Sequence, residues 1–162
     1  MKVTVPAVPA TAEEFSALRQ NDLSKPENTC AMFLLALELY LKDSDAGVAA
    51  LNTLRGPRPL SNYDIQFLKD RLRGKNYLPL AYFNGATPEN NYAPDTPLVL
   101  EVLADSRPQD VEDGYLRLFL KTAGADSPRP IKLRRKGEHW YLWEYSSILS
   151  GIRIPSEADA WA

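Results

Sequence analysis

The sequence predicts an α+β fold, with about four N-terminal helices packed on one face of a C-terminal four-stranded antiparallel meander. Three observations carry this prediction. Helical periodicity fills the chain as far as Gly74. Beyond it the apolar pattern changes to period two. The period-two segments are joined by turn-rich loops with no helix between them, which makes neighbouring strands antiparallel. A chain of 162 residues, 44% hydrophobic and 25% charged, suits a single domain spanning 1–162.

Residues 1–10 read as extended chain, with prolines at 6 and 9. Thr11 and Glu14 have capping-box spacing and open a short helix that turns Phe15 and Leu18 inward. Pro26 suits the first turn of a second helix, where its missing N–H costs least. That helix carries Met32, Phe33, Leu35, Leu37, Leu39 and Tyr40 and is apolar on nearly every side, so it is the expected central helix. Asp43 or Ser44 caps a third helix bearing Val48, Leu51 and Leu54, and "RGPRP" (Arg55 to Pro59) stops it. Ser61 caps a fourth, with Ile65, Leu68 and Leu72 inward and Gly74 at its end. Tyr77 to Phe83 reads as extended, and 84–97 as a long ordered loop rich in turn formers. Four strands follow, at 98–104, 115–122, 131–136 and 139–145. The last two form a hairpin that turns at Lys136 and Gly137.

Alternation assigns faces. Leu116, Leu118 and Leu120 share the core face of the second of these strands, opposite Tyr115, Arg117, Phe119 and Lys121. In the last strand His139, Tyr141, Trp143 and Tyr145 share one face, and Trp140, Leu142 and Glu144 the other. One face is apolar and lies under the helices; the other mixes aromatics with cations. The mixed face has the makings of a ligand platform. The plainer reading packs its aromatics under the loops while the cations reach water.

The charge balance, −2 overall with an isoelectric point near 5.5, argues against a nucleic-acid binder. The one cysteine, Cys30, excludes an intrachain disulfide and sits where a small core residue belongs. The N-terminus has no apolar run of a secretory signal, and "CAMFLLALELYL" is too short for a membrane span, so a cytoplasmic protein with no membrane partner is expected.

The chain offers little for catalysis. His139 is the only histidine, at the head of a strand, and no G-x-S-x-G accompanies it. One histidine and one cysteine cannot make a metal cluster of those residues. Asp105, Asp110, Glu112 and Asp113 lack a calcium-loop pattern and read as a solvated loop. No P-loop and no dinucleotide fingerprint occurs, so no cofactor and no metal is expected. The basic run Arg129, Lys132, Arg134, Arg135, Lys136 sets Lys132, Arg134 and Lys136 on one side of a strand. They either meet an anion or, as the simpler reading has it, blunt an edge strand against aggregation. In "GADSPRP" Asp126 and Ser127 favour a turn, and Arg129 is held between Pro128 and Pro130. Pairing about a Lys136–Gly137 turn places Arg129 opposite Glu144, as a clamp.

The segments "MKVTVPAVPATAEEF", "GATPENNY", "GADSPRPIKL" and "WEYSSILSGIRIP" resemble an uncharacterised bacterial domain family of unknown function, seen in gut Firmicutes and Bacteroidetes. The resemblance spans nearly the whole chain. It implies a bacterial single-domain protein and brings no activity and no site.

The functional expectation is a non-catalytic binding or interaction module. Its candidate ligand-binding residues are Asp126, Ser127 and Arg129 on the rigid 124–130 loop, and Arg117, Tyr141, Trp143 and Glu144 on the sheet. Its partner is a protein, a small anionic ligand, or a second copy in a homo-oligomer. The alternative is a small hydrolase in a nuclear-transport-factor-like pocket of helices and curved sheet.

Overall fold

The computed structural model describes residues 1–162. Four helices, α1 (Ala12–Ala17), α2 (Pro26–Lys42), α3 (Ser44–Arg55) and α4 (Asn62–Leu72), precede most of the sheet. Their starts follow local chemistry. Pro26 is at the first turn of α2, and the Asp43 carboxylate accepts the Ala46 N–H at the start of α3. Ser61 and Asp64 form a reciprocal capping box at α4. At α1 only half of the expected box forms. Thr11 accepts from the Glu14 N–H, but the Glu14 carboxylate reaches past Thr11 to the Ala10 N–H, 2.6 Å away. Leu68 and Leu72 of α4 are buried, whereas Ile65 is half-buried.

The sheet has five strands, one more than the sequence predicts, in the order β1 (Lys2–Val5), β2 (Leu98–Ala104), β3 (Tyr115–Leu120), β4 (Arg129–Lys136), β5 (His139–Glu144). All neighbours are antiparallel. The added strand is the N-terminal extended segment, whose partner lies far along the chain. Val3 pairs with Leu100 and Val5 with Leu98. β2 changes partner along its length, with β1 along Leu98–Glu101 and β3 along Val102–Ala104. Where β3 leaves, Phe83 bridges to Leu100 and Asn84 donates to the Val99 carbonyl, 2.8 Å away. This exchange curls the sheet. The segment expected to be extended before Phe83 is instead a 3₁₀ turn, Pro79–Tyr82.

The curled sheet closes on α2. Cys30 to Leu37 are fully buried, and they meet Leu118, Leu120, Ile131, Leu133 and Leu142 in one contiguous core. The three leucines of β3 face inward as alternation requires. α3 packs along α2, with Gly47 in the contact: a Cβ there would lie 2.2 Å from the Tyr40 Cα. No helix is long and apolar enough to cross a membrane.

The hairpin departs from the predicted register in two places. Its turn is Gly137–Glu138, since Lys136 pairs with His139. Gly137 has φ +60° and Glu138 keeps negative φ, the type II′ pattern with glycine first. A bulge then follows: Leu133 pairs with Leu142, but Lys132 pairs with Glu144, which leaves Trp143 as the extra residue. Alternation therefore breaks after Leu142. Trp143 and Glu144 both lie toward the outer face. Tyr145, predicted to be outside, is buried with its ring 5.2 Å from that of Phe33.

Candidate functional site

The α3–α4 turn lies over the β5 side of the outer face of β3, β4 and β5, which is otherwise partly open to solvent. Tyr115, Phe119, Tyr141 and Trp143 are half-buried, and cations fill the spaces between them. The Arg134 guanidinium lies 4.7 Å from the Trp143 ring and 5.1 Å from that of Tyr115. Lys132 Nζ is 5.2 Å from Tyr115, and the Tyr115 and Trp143 rings meet edge to face at 5.6 Å. From the α3–α4 turn, Arg58 adds a guanidinium 4.8 Å from Trp143. Each such contact is worth about 0.5–1 kcal/mol when exposed. Their main effect is to hold flexible cations in place.

Arg55, at the end of α3, fixes this turn to the bulge. It is buried; its Nη1 donates to the Trp143 carbonyl at 2.9 Å and its Nε to the Arg58 carbonyl at 3.2 Å. Asp64 lies 3.8 Å from its Nη2. Gly56 follows with φ +63°, and any Cβ there would strike the Tyr141 ring at 2.7 Å. Glycine thus allows the turn to lie flat on the hairpin.

Between the turn and the hairpin runs a groove of two adjoining hollows, each of about 320 Å³, which share Arg55, Arg58 and Trp143. One hollow continues along Arg134, Lys136 and Tyr141 and has no carboxylate in its wall. The other is bounded by Tyr63, Phe67, Asp64 and Glu144. Burial alone would raise the Glu144 carboxyl. Hydrogen bonds from Ser146 and the Arg55 charge outweigh it and hold Glu144 below the usual carboxylate range. Tyr63, at the lip, is 78% exposed.

The cations divide into two sets. Arg117 is tied by a two-pronged bond to Asp105, at 2.9 and 3.2 Å, which keeps that carboxyl below its ordinary value. Arg58, Lys132, Arg134 and Lys136 form no ion pair. Nor do they blunt an edge, because β4 lies inside the sheet between β3 and β5. Arg135 is opposite Trp140, on the other side of the strand, and its Nε donates to the Gly137 carbonyl.

The residues proposed from sequence fall into two groups. Tyr141, Trp143 and Glu144 line the groove, and Arg117 lies on the same face, beyond Tyr115. Asp126, Ser127 and Arg129 lie elsewhere: Asp126 and Arg129 hold the C-terminal segment, and Ser127 is exposed between them. Asp126 pairs with Arg153 at 2.9 Å, and Gly124 accepts the Arg153 N–H. Arg129 pairs across the sheet with Leu120 and donates to the Gly151 carbonyl at 2.9 Å. The Arg129–Glu144 clamp does not form, because the shifted turn and the bulge carry Glu144 to Lys132. His139 is exposed, 3.3 Å from the Tyr141 hydroxyl. Sequence reasoning missed Arg58, Tyr63 and Asp64. The signal for Arg58 was the "RGPRP" turn itself: two arginines on a segment stiffened by two prolines, read only as a helix stop.

A family model described as a domain of unknown function (DUF6935) matches residues 7–156. No curated protein and no solved structure matches the chain.

Proposed function

The chain belongs to the family described as a domain of unknown function (DUF6935), and from that premise we propose that it is a non-catalytic module that captures an anionic ligand in the groove between the α3–α4 turn and the last hairpin. One observation carries the reading. Arg58, Arg134 and Lys136 line one hollow without an ion pair, with Lys132 beside them on the same face, in a chain whose net charge is −2. Unpaired arginines braced by aromatic rings are preorganised donors for phosphate or carboxylate oxygens. The inner face of the sheet is filled by α2, which favours this surface groove over a hydrolase pocket within the sheet. A single reduced cysteine suits the bacterial cytoplasm, where we place the module.

Pyrophosphate at low ionic strength tests the reading. It should raise the melting temperature, as a ligand that binds only the folded state must. Arg58→Ala and Arg134→Ala should abolish the rise, and added salt should weaken it. No shift, or a shift that survives both substitutions, would refute the assignment.

A further inference from the structure

The two hollows differ in chemistry, and that difference describes a ligand. Every charged residue in the wall of the first is a cation, Arg58, Arg134 and Lys136 among them, beside Tyr141 and Trp143. It suits a group with more than one negative charge, since a lone carboxylate would leave most of these cations uncompensated. The second adjoins it at Arg58 and Trp143 but carries two carboxylates and an exposed aromatic lip. Asp64 uses Oδ2 for the Ser61 N–H, and Glu144 uses Oε1 for the Ser146 N–H. Asp64 Oδ1 accepts no hydrogen bond within the chain, and the Glu144 carboxylate is open to solvent, so each has lone pairs to offer a ligand. Tyr63 stands at this lip with its ring in water, an uncommon exposure for so large an apolar surface.

We propose that the groove binds a nucleotide whose base carries an exocyclic amine, with its phosphates in the Arg58–Arg134–Lys136 hollow and its base against Tyr63, donating to Asp64 and Glu144. This rests on the anion-binding reading and narrows it. The order of chemistry along the groove, polyanion then flat ring then N–H donor, is the order of groups in such a molecule. Each hollow has room for the part assigned to it. A flat membrane surface does not fit a concave groove, and an inorganic anion leaves the second hollow unused.

The test compares ADP, UDP and pyrophosphate by isothermal titration calorimetry on the full chain, with the folding of every variant checked by its melting curve. ADP should bind about tenfold or more tightly than pyrophosphate, the effect of one or two hydrogen bonds to a charged acceptor. UDP, whose uracil can stack on Tyr63 but lacks the exocyclic amine, should lie between ADP and pyrophosphate, and UDP binding as tightly as ADP would overturn the role given to the amine. Glu144→Gln should bring ADP toward the pyrophosphate level and leave pyrophosphate unweakened. Tyr63→Ala should weaken ADP and UDP but not pyrophosphate, and Arg134→Ala should weaken all three. Pyrophosphate binding as tightly as ADP would overturn the nucleotide assignment while leaving the anion site standing. A short single-stranded oligonucleotide or a phosphopeptide held more tightly than ADP would also overturn it, in favour of that macromolecule. If none of the three binds, both readings fail.

Discussion

Glu38 is the residue of α2 least expected from its surroundings. It is buried in the middle of an apolar helix, and its Oε1 has no hydrogen-bond partner. Burial pushes its carboxyl up to about 7, against the opposing pull of Lys42. Because the folded value exceeds the unfolded one of 4.5, the native state holds the extra proton between them. Stability should therefore fall as pH rises from about 4.5 to about 7, and level off above. Glu38→Gln should flatten that slope, raising the melting temperature at pH 8 and leaving it unchanged near pH 4; a variant that melts lower at pH 8 would contradict this. Cys30, about two turns earlier in the same helix, is fully buried, and desolvation pushes its thiol well above the ordinary range. It should resist a thiol reagent in the native protein and react only on unfolding. Cys30 was legible in the sequence, because an apolar run declares its own burial. The state of Glu38 was not, since it depends on what the fold places around the helix.

At the scale of elements, the starts of the helices could be read directly, because capping involves residues within a turn of one another. Strand faces could be read as far as alternation holds. Leu118 is the inward middle leucine of β3 and 2% exposed. Leu118→Ala should cost about 2–5 kcal/mol in denaturant unfolding, the usual cost of truncating a buried leucine. A loss below about 1 kcal/mol would mean that the core relaxes around the gap. The fifth strand and the bulge could not be read. β1 is defined by its pairing with β2, and the bulge by where Arg55 holds the Trp143 carbonyl. No local pattern encodes either, and one extra residue was enough to reverse the predicted faces of Glu144 and Tyr145. Both sheet edges are guarded. On β5, Trp140 donates to the Leu23 carbonyl and accepts from Thr29; on β1, Gln20 donates to Thr4.

Across the whole molecule, the C-terminal segment acts as a strap over the 124–130 loop. Tyr92 donates to the Arg153 carbonyl at 2.6 Å, and Tyr82 to that of Ile148. A Cβ on Gly124 would meet Ile152 at 2.6 Å and the Tyr92 hydroxyl at 2.7 Å. Gly124→Ala should therefore loosen the strap and destabilise by about 1–3 kcal/mol, as overpacking does. With one contiguous core, thermal unfolding should be a single transition that coincides by tryptophan fluorescence and circular dichroism. Two separated transitions would argue for more than one domain. The groove itself was half legible: Tyr141, Trp143 and Glu144 stand near one another in sequence, while Arg58 and Tyr63 are brought to them only by the tertiary fold.

The unpaired cations of the outer face also bear on how two copies could meet. A two-fold axis sets the same patch against itself, so the cations around Arg134 and Lys132 would face the same cations of the second copy. Like charges so placed repel. If the groove binds as proposed, a multivalent anion would offset that repulsion, and self-association through this face would follow the ligand rather than the protein concentration alone.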